Sequence, residues 1–590
     1  MENGKPQSLA EDQGSSERLD SWKEIASYLK RDERTVRRWE KEGLPVHRHV
    51  HARKATVYAY KSEVDRWWRD GCDRVEVTKV PDQPPRRRTV VWSAALTLLI
   101  VLLASSVYGL RDRLTSSPTA RGFKIAVLPF KDLSGDPPQD LFADGMTEAL
   151  ITELGKIGAL DVTSHQSVIR YRQTSKTIPE IARELNVDAL LEGTVLYSRG
   201  RVRITANLVQ AVPERHLWAD SYDFDPQDVL KIQGAVARDV ASRVRIKVSP
   251  QEQARLTHSR RIDPDVYAAY LLGRGYLRQP PTPDTWKKAK ECFDKAIAGD
   301  HVFAPAYASL AELHMRARGS PFKTPADLRR QARQYAELAL RLDETLAEAH
   351  TALARASQQE WDWVTAEREY RRAIEVNPSY APAQIWYAMF LYGMGRFDAA
   401  IVQARDAQRH DPASPYVNTW AAAAYLYGGN NDEGNKSLQT ALDMDPRYTD
   451  ANIIRARAMV GRGRYDEAVS ELQAALTRTS RREPLVLGAL AHAQARAGRR
   501  REALELVNEL QRIEADAGQQ YVPPFGLIWA YAGLGDNDHA IRGLKQAFDA
   551  GSDRIIWLNV DQFLDPLRSD SRFVELVHRV GLPANSLRAQ

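Results

Sequence analysis

A chain of 590 residues is too long for one hydrophobic core, and roughly 150 residues per domain suggests about four units. The formal net charge of +6 is small for this length, so it gives only a mild hint of polyanion binding and any basic patch must be local. Two cysteines, Cys72 and Cys292, have no neighbouring Cys or His at zinc-finger spacing, which argues against a disulfide framework and a structural zinc. In chain order, Ser21-Trp22-Lys23-Glu24 fits a capping box, and Trp22, Ile25, Ala26 and Leu29 then recur at helical spacing, which predicts a first helix to about Lys30. Asp32 can cap a second helix, in which Arg34, Arg37, Arg38 and Lys41 share one face while Val36 and Trp39 point the opposite way. Gly43 and Pro45 end it. VHRHVH and TVYAY read as a hairpin around Ala52 to Lys54, and Ser62 with Asp65 opens a third helix carrying Val64, Trp67 and Trp68. His47, His49 and His51 alternate along one strand face, but no carboxylate or Cys accompanies them, so a phosphate-facing wing explains them better than a metal site.

Helix, short turn, basic helix and basic hairpin make a winged helix-turn-helix, whose second helix enters the major groove of double-stranded DNA. Over Leu19 to Trp68, and most closely in RTVRRWEKEGLPV, the segment resembles the MerR and excisionase type of DNA-binding domain. That resemblance implies DNA contacts from Arg34, Thr35, Arg37, Arg38 and Lys41 of the helix and from Arg48, His49, Arg53 and Lys54 of the wing. The plainer alternative for the stripe is a solvated charged face.

The apolar run Thr89 to Leu110 carries no charge across 22 residues, long enough at about 1.5 Å per residue to cross a hydrocarbon core of roughly 30 Å. Arg86, Arg87 and Arg88 frame one end and Arg111 and Arg113 the other, while 88 preceding residues rule out a signal peptide. One transmembrane helix is expected, with the lipid bilayer as a partner.

From Phe123 to about Val248 the pattern alternates. KIAVLPF reads as a strand, FADGMTEALITELGKI as a helix, DVTSHQSVIRY as a strand, TIPEIARELNV as a helix, and DALLEGTVLYSRGRVRITANLVQ as a hairpin turning at Arg199 to Arg201. Mixed alternation implies an α/β layer structure. The runs IAVLPFKDLSGDPPQDLFADGMTEALITEL, LLEGTVLYSRGRVRITANLV and HLWADSYD resemble the TolB amino-terminal-like domain, a module that bacteria place outside the cytoplasmic membrane. Asp136, Asp144 and Glu148 are expected as a helix cap and a solvated face, since no nucleophile or base partner is legible near them.

The remaining half repeats. Asp343, Asn377, Asp411 and Asp445 stand 34 residues apart, the tetratricopeptide period. Ala339, Ala373, Ala407, Ala441 and Ala475 share the register where paired helices approach closely, and Gly395, Gly429 and Gly463 mark the turn between the helices of a repeat. An all-α solenoid is expected from about Asp263 to Ala550, and LDPLRSDSRFVELVHRVGLP as a closing helix over its exposed end. Resemblance to such arrays implies a concave groove for a protein or peptide partner. Trp386, Trp420, Tyr425, Trp529 and Tyr531 could line it, although packing between helices explains most of them better. Ser-His-Asp sets, GxSxG, HExxH, P-loop and dinucleotide fingerprints are absent, so no catalytic residue, cofactor or metal is expected.

The expected order is a tail (1–16), a winged helix-turn-helix (17–72), a linker (73–88), the span (89–110), a linker (111–122), the α/β domain (123–248), the repeats (263–550) and a capping segment (551–590). This layout resembles membrane-bound transcriptional regulators of the CadC and ToxR style, whose DNA-binding domain is of a different winged type. It implies a single-pass regulator of the bacterial inner membrane, amino terminus cytoplasmic, carboxy-terminal region periplasmic or extracellular, with a homodimer as the arrangement that would bring two readers together. A non-catalytic scaffold binding proteins at both ends is the rival. TolB-like and repeat modules also accompany class III adenylate cyclases, but here the winged helix holds the cyclase position, so no enzyme is expected.

Overall fold

The computed structural model describes residues 18–40, 44–51, 54–70, 122–134, 137–198, 200–257, 260–279, 282–316, 325–479, 482–518 and 522–583. It divides into two units, Met1–Ser116 and Ser117–Gln590.

In the first unit the predicted caps form. Ser21 Oγ accepts the Glu24 N–H at 3.2 Å and the Glu24 carboxylate accepts the Asp20 N–H at 2.9 Å, which opens α1 (Trp22–Tyr28). Asp32 accepts both the backbone N–H and the hydroxyl of Thr35, at 2.9 and 2.8 Å, and so starts α2 (Glu33–Glu40). Strands β2 (His47–His51) and β3 (Lys54–Tyr60) pair antiparallel up to His51 opposite Lys54, and α3 (Lys61–Asp70) follows. A short β1 (Arg18–Leu19), not legible as a strand beforehand, adds to the other edge of β3 in the order β1-β3-β2. Leu19, Ile25, Ala26, Val36, Leu44, Ala59 and Val64 form the core, with Trp22, Trp39 and Trp67 packed against it.

The run Thr89–Leu110 lies outside the described residues. Among those described, no helix is long and apolar enough to cross a membrane. The two helices of 18 residues or more are interrupted by Asp144, Glu148 and Glu153 in one and by Arg329, Arg333 and Arg341 in the other. The expected transmembrane helix, and the inner-membrane location built on it, are corrected accordingly. The architecture is a small sheet-and-helix unit and a mostly helical repeat unit that carries an α/β layer.

That layer is a mixed sheet of β4 (Phe123–Val127), β5 (Lys131–Asp132), β6 (Leu160–Val162), β7 (Ala189–Ser198), β8 (Arg201–Gln210) and β9 (Arg215–Phe224), ordered β6-β4-β7-β8-β9 with β5 beside β7. Pairings around β4 and between β5 and β7 are parallel; β7, β8 and β9 form an antiparallel meander. Helices α4 (Pro137–Gly155), α5 (His165–Val168), α6 (Ile178–Leu185), α7 (Val229–Arg243) and α8 (Pro250–Thr257) accompany it. DVTSHQSVIRY reads as one strand in sequence, yet only Leu160–Val162 pairs. Ser164 turns the chain into α5 by accepting the Ser167 N–H, while its hydroxyl donates to Asp411 in the repeats at 2.5 Å. A partner 247 residues away ends the strand, and local pattern carries no trace of it.

Eight helical hairpins follow: α9 (Pro264–Arg278) with α10 (Pro283–Gly299), α11 (Ala304–Arg316) with α12 (Pro325–Leu342), α13 (Ala347–Gln359) with α14 (Trp363–Val376), and α15 (Ala381–Gly393) with α16 (Phe397–His410). Then come α17 (Pro415–Tyr427) with α18 (Asn431–Met444), α19 (Thr449–Val460) with α20 (Tyr465–Arg478), α21 (Pro484–Arg496) with α22 (Arg500–Asp516), and α23 (Phe525–Leu534) with α24 (Asn537–Asp549). The five register alanines are at most 3% exposed, as close helix approach requires. Gly395, Gly429 and Gly463 take φ of +72°, +84° and +70°, the left-handed turn that a side chain resists. The preceding repeat places Trp361 at that position with φ +62°, its ring stacked on Phe548 at 5.3 Å.

Two short 3-10 turns, Asp553–Trp557 and Gln562–Leu567, and α25 (Ser571–Val580) end the described chain. The stretch before α25 runs along the repeats. Trp557 stacks on Trp420 of α17 at 5.1 Å and donates Nε1–H to Met389 O of α15, Asp561 lies against Arg457 of α19, and Phe563 packs on His492 of α21 and Trp529 of α23. Five successive first helices are thus covered by one tail along a single face. Two of them have no exposed side over most of their length: every residue from Ala383 to Gly393 and from Val417 to Tyr425 is buried.

Candidate functional site

In the first unit, α2 presents Arg34 and Arg37 to solvent with Val36 fully buried behind them. Arg37 lies 3.5 Å from Glu33 and places its guanidinium 5.3 Å from the Trp22 ring. Thr35 is committed to the Asp32 cap. Arg38 lies on the same helix, and Lys41 and Arg53 lie outside the described residues. On the wing, exposed Arg48 pairs with Glu40 at 2.7 Å, bridging the strand to the end of α2; His49 sits in β2 and Lys54 opens β3. His47 is held by Glu63 at 2.6 Å and stacks on Tyr58 at 5.2 Å. Both ion pairs are solvent-exposed and worth roughly 0–1 kcal/mol, so a phosphate can displace either carboxylate at little cost.

In the second unit the α/β layer is fastened to the repeats. Asp411, at the start of the hairpin α17–α18, accepts hydroxyl hydrogens from Ser164 and Ser167 at 2.5 and 2.7 Å, and Ser379 bridges the Val162 N–H and Leu160 O of β6. Asp161 faces His410 at 3.5 Å. Glu148 and Asp144, expected on a solvated face, are only 16% and 15% exposed. Glu148 meets Arg274 at 2.6 Å and also Arg278, both on α9, and Arg274 reaches Glu312 at 2.9 Å; Asp144 pairs with Arg172. Burial alone would raise the Glu148 carboxyl, but the two guanidinium groups outweigh it and hold it well below the usual carboxylate range. The cluster is a joint between layers, which is why no acid/base partner was legible beside it.

The aromatic residues expected on the inner face divide by what covers them. Trp420 and Trp529 lie under the tail, and Trp529 Nε1–H donates to Asp561 at 3.0 Å. Tyr425 is buried with its hydroxyl on Gln408, and Tyr531 stacks on His539. Trp386 faces a cavity, with the Arg355 guanidinium 3.7 Å above its ring. That inner position was readable in principle: Glu348, Pro382, Tyr416 and Asp450 stand 34 residues apart and all line the same cavity. Among the described residues no group of three or more His, Cys, Asp or Glu side chains is placed to hold a metal.

Residues 394–517, from the end of α15 through α22, match the bacterial transcriptional activator domain. Over 187 residues the chain is 34% identical to "Putative adenylate cyclase 3" of Rhizobium meliloti (strain 1021); the match covers 32% of each protein, so the chain spans about a third of the length of this curated relative. This corrects the expectation that the chain is not an enzyme: the relative carries an enzyme's name, and missing linear motifs do not exclude a site assembled from distant residues. Among solved structures, PilF of Pseudomonas aeruginosa matches at 19% identity and TM-score 0.29, covering 37% of this chain and 95% of that one. A thermophilic tetratricopeptide protein of Thermus thermophilus matches at 18% identity and TM-score 0.28, covering 33% and 99%. The described chain is itself a tetratricopeptide-like solenoid, a fold used for protein interaction, and its matched domain relates it to transcriptional regulation.

Proposed function

We propose that the protein is a transcriptional activator that binds double-stranded DNA through the winged helix-turn-helix of its first unit and takes protein partners on its repeat unit. The match of 394–517 to the bacterial transcriptional activator domain carries this reading. The exposed Arg34 and Arg37, one helical turn apart on α2, and Arg48 on the wing support it as the groove-facing and backbone-facing parts of one DNA-binding surface. The test is chromatin capture of the full chain, comparing wild type with an Arg34→Ala/Arg37→Ala double variant. Discrete enriched promoters that the double variant loses are expected; enrichment no better than random fragments, or unchanged in the variant, refutes the reading. The name of the curated relative favours a second reading, nucleotide cyclisation. Formation of cyclic AMP from ATP by the full chain would establish it.

A further inference from the structure

The tail leaves part of the inner face open. A chamber of about 580 Å³ remains, walled by α11, α13, α15 and α17, reached by Gln166 from the α/β layer and bounded at its far end by Asp450. Ligand pockets are commonly of this size. A smaller cavity of about 220 Å³ beneath α4 shares one wall residue with it, Glu348, whose carboxyl therefore stands between two spaces.

The charges around the chamber do not balance pair by pair. Each cation is engaged: Arg278 by Glu148, Arg316 by Glu312 at 3.5 Å, and Arg355 by the Trp386 face and by Met315 O at 3.1 Å. Of the acids, Glu312 holds Arg274, and Asp450 holds Arg554 of the tail at 3.2 Å. Asp411 is satisfied by the Ser164 and Ser167 hydroxyls and has no cation at ion-pair distance among the described residues. Among the described residues Glu348 has no cation at ion-pair distance and no hydroxyl partner; Arg274, bonded to Glu148 and Glu312, and Lys156, paired with Glu153, act on it from farther off. Burial pushes both carboxyls up, as it does when no cation compensates the lost water. Trp386, Tyr380 and Tyr416 turn toward the same space.

A carboxylate with no cation at ion-pair distance, set beside aromatic rings in a partly enclosed cavity, is an environment that can hold an organic ammonium: the carboxylate supplies charge and the Tyr380 and Tyr416 rings supply apolar contact, while one face of Trp386 is already taken by Arg355. We propose that this chamber binds a small organic ammonium ion, its nitrogen at Glu348 and its apolar body against the tyrosines of the wall, Tyr380 and Tyr416. The site goes beyond the regulatory reading and does not depend on it, because binding is measured without DNA.

The experiment is isothermal titration of the full chain with phenethylamine and choline, and with phenylacetate as a matched anion. At least one amine should bind with Kd near or below about 1 mM, and phenylacetate should not. Glu348→Gln, which removes a desolvated charge and should fold, is expected to weaken the amine at least about tenfold, roughly 1.4 kcal/mol. Glu348→Asp, which keeps the charge, should retain most of the affinity; matching thermal unfolding curves establish that the variants are folded. Absence of amine binding up to about ten times that Kd, equal binding of phenylacetate, or full affinity in Glu348→Gln overturns the proposal. A short peptide that binds where both amines fail would assign the chamber to a polypeptide and overturn it equally.

Discussion

Glu148→Ala leaves Arg278 without a carboxylate and Arg274 with Glu312 alone, in a joint where the three side chains are between 13% and 21% exposed. Removing one partner of a buried pair costs about 3–5 kcal/mol, because the remaining charge stays desolvated. Arg274 keeps a second acid and Arg278 is the most accessible of the three, which puts the expected loss at the lower end, about 3 kcal/mol. Since about 1.4 kcal/mol is a factor of ten, amides of α4 and α9 that exchange through opening of this joint should exchange about a hundredfold faster. Hydrogen exchange by mass spectrometry on the full chain reads this directly, and urea unfolding followed by fluorescence gives the accompanying shift in midpoint. Glu467→Ala is the control: it breaks an exposed pair with Arg464 and should leave stability essentially unchanged. If Glu148→Ala moves α4 and α9 no more than the control does, the ion network fastens nothing, and the helix face behaves as the solvated surface that its sequence suggested.

Three further outcomes are expected. Arg34→Ala or Arg37→Ala should cost about 1–3 kcal/mol of DNA affinity in gel-shift titration if the residue reads a base edge, and wild-type affinity in both variants would remove α2 from the interface. Trp557→Ala should destabilise the repeat unit by about 3–5 kcal/mol, since the ring is 3% exposed between Trp420 and Tyr392; a loss below about 1 kcal/mol would mean that the tail does not stay on the inner face. Burial lowers His165 and His492 to about 4 from 6.5, so the fold holds both neutral. Their contribution is complete above pH 6.5 and is lost as pH falls toward 4, at most about 3 kcal/mol each by linkage; stability that stays flat from pH 7 to 4, or His492→Gln with an unchanged acid limb, contradicts this.

Local order was legible because its causes are local. Ser21 and Asp32 cap helices through neighbours three residues on, the hairpin of β2 and β3 follows from alternation, and the 34-residue register placed Ala339 to Ala475 and Gly395 to Gly463 at helix contacts and left-handed turns. The identity of a repeat is stated many times over in the chain, so period alone recovers it. What covers the repeats is stated once. Trp557, Phe563 and Ile556 read as an ordinary apolar stretch, and only folding brings them onto first helices as far back as α15, more than 150 residues earlier. The same holds for Ser164, whose strand is cut short by Asp411, and for Glu148, whose acid face is neutralised by α9. A solvated carboxylate and a paired one have the same letter, and burial depends on which surface arrives from elsewhere. Glu348 shows both halves: its period puts it in register with other cavity-lining positions, while the tertiary structure alone decided that, among the described residues, no cation comes within ion-pair distance of it.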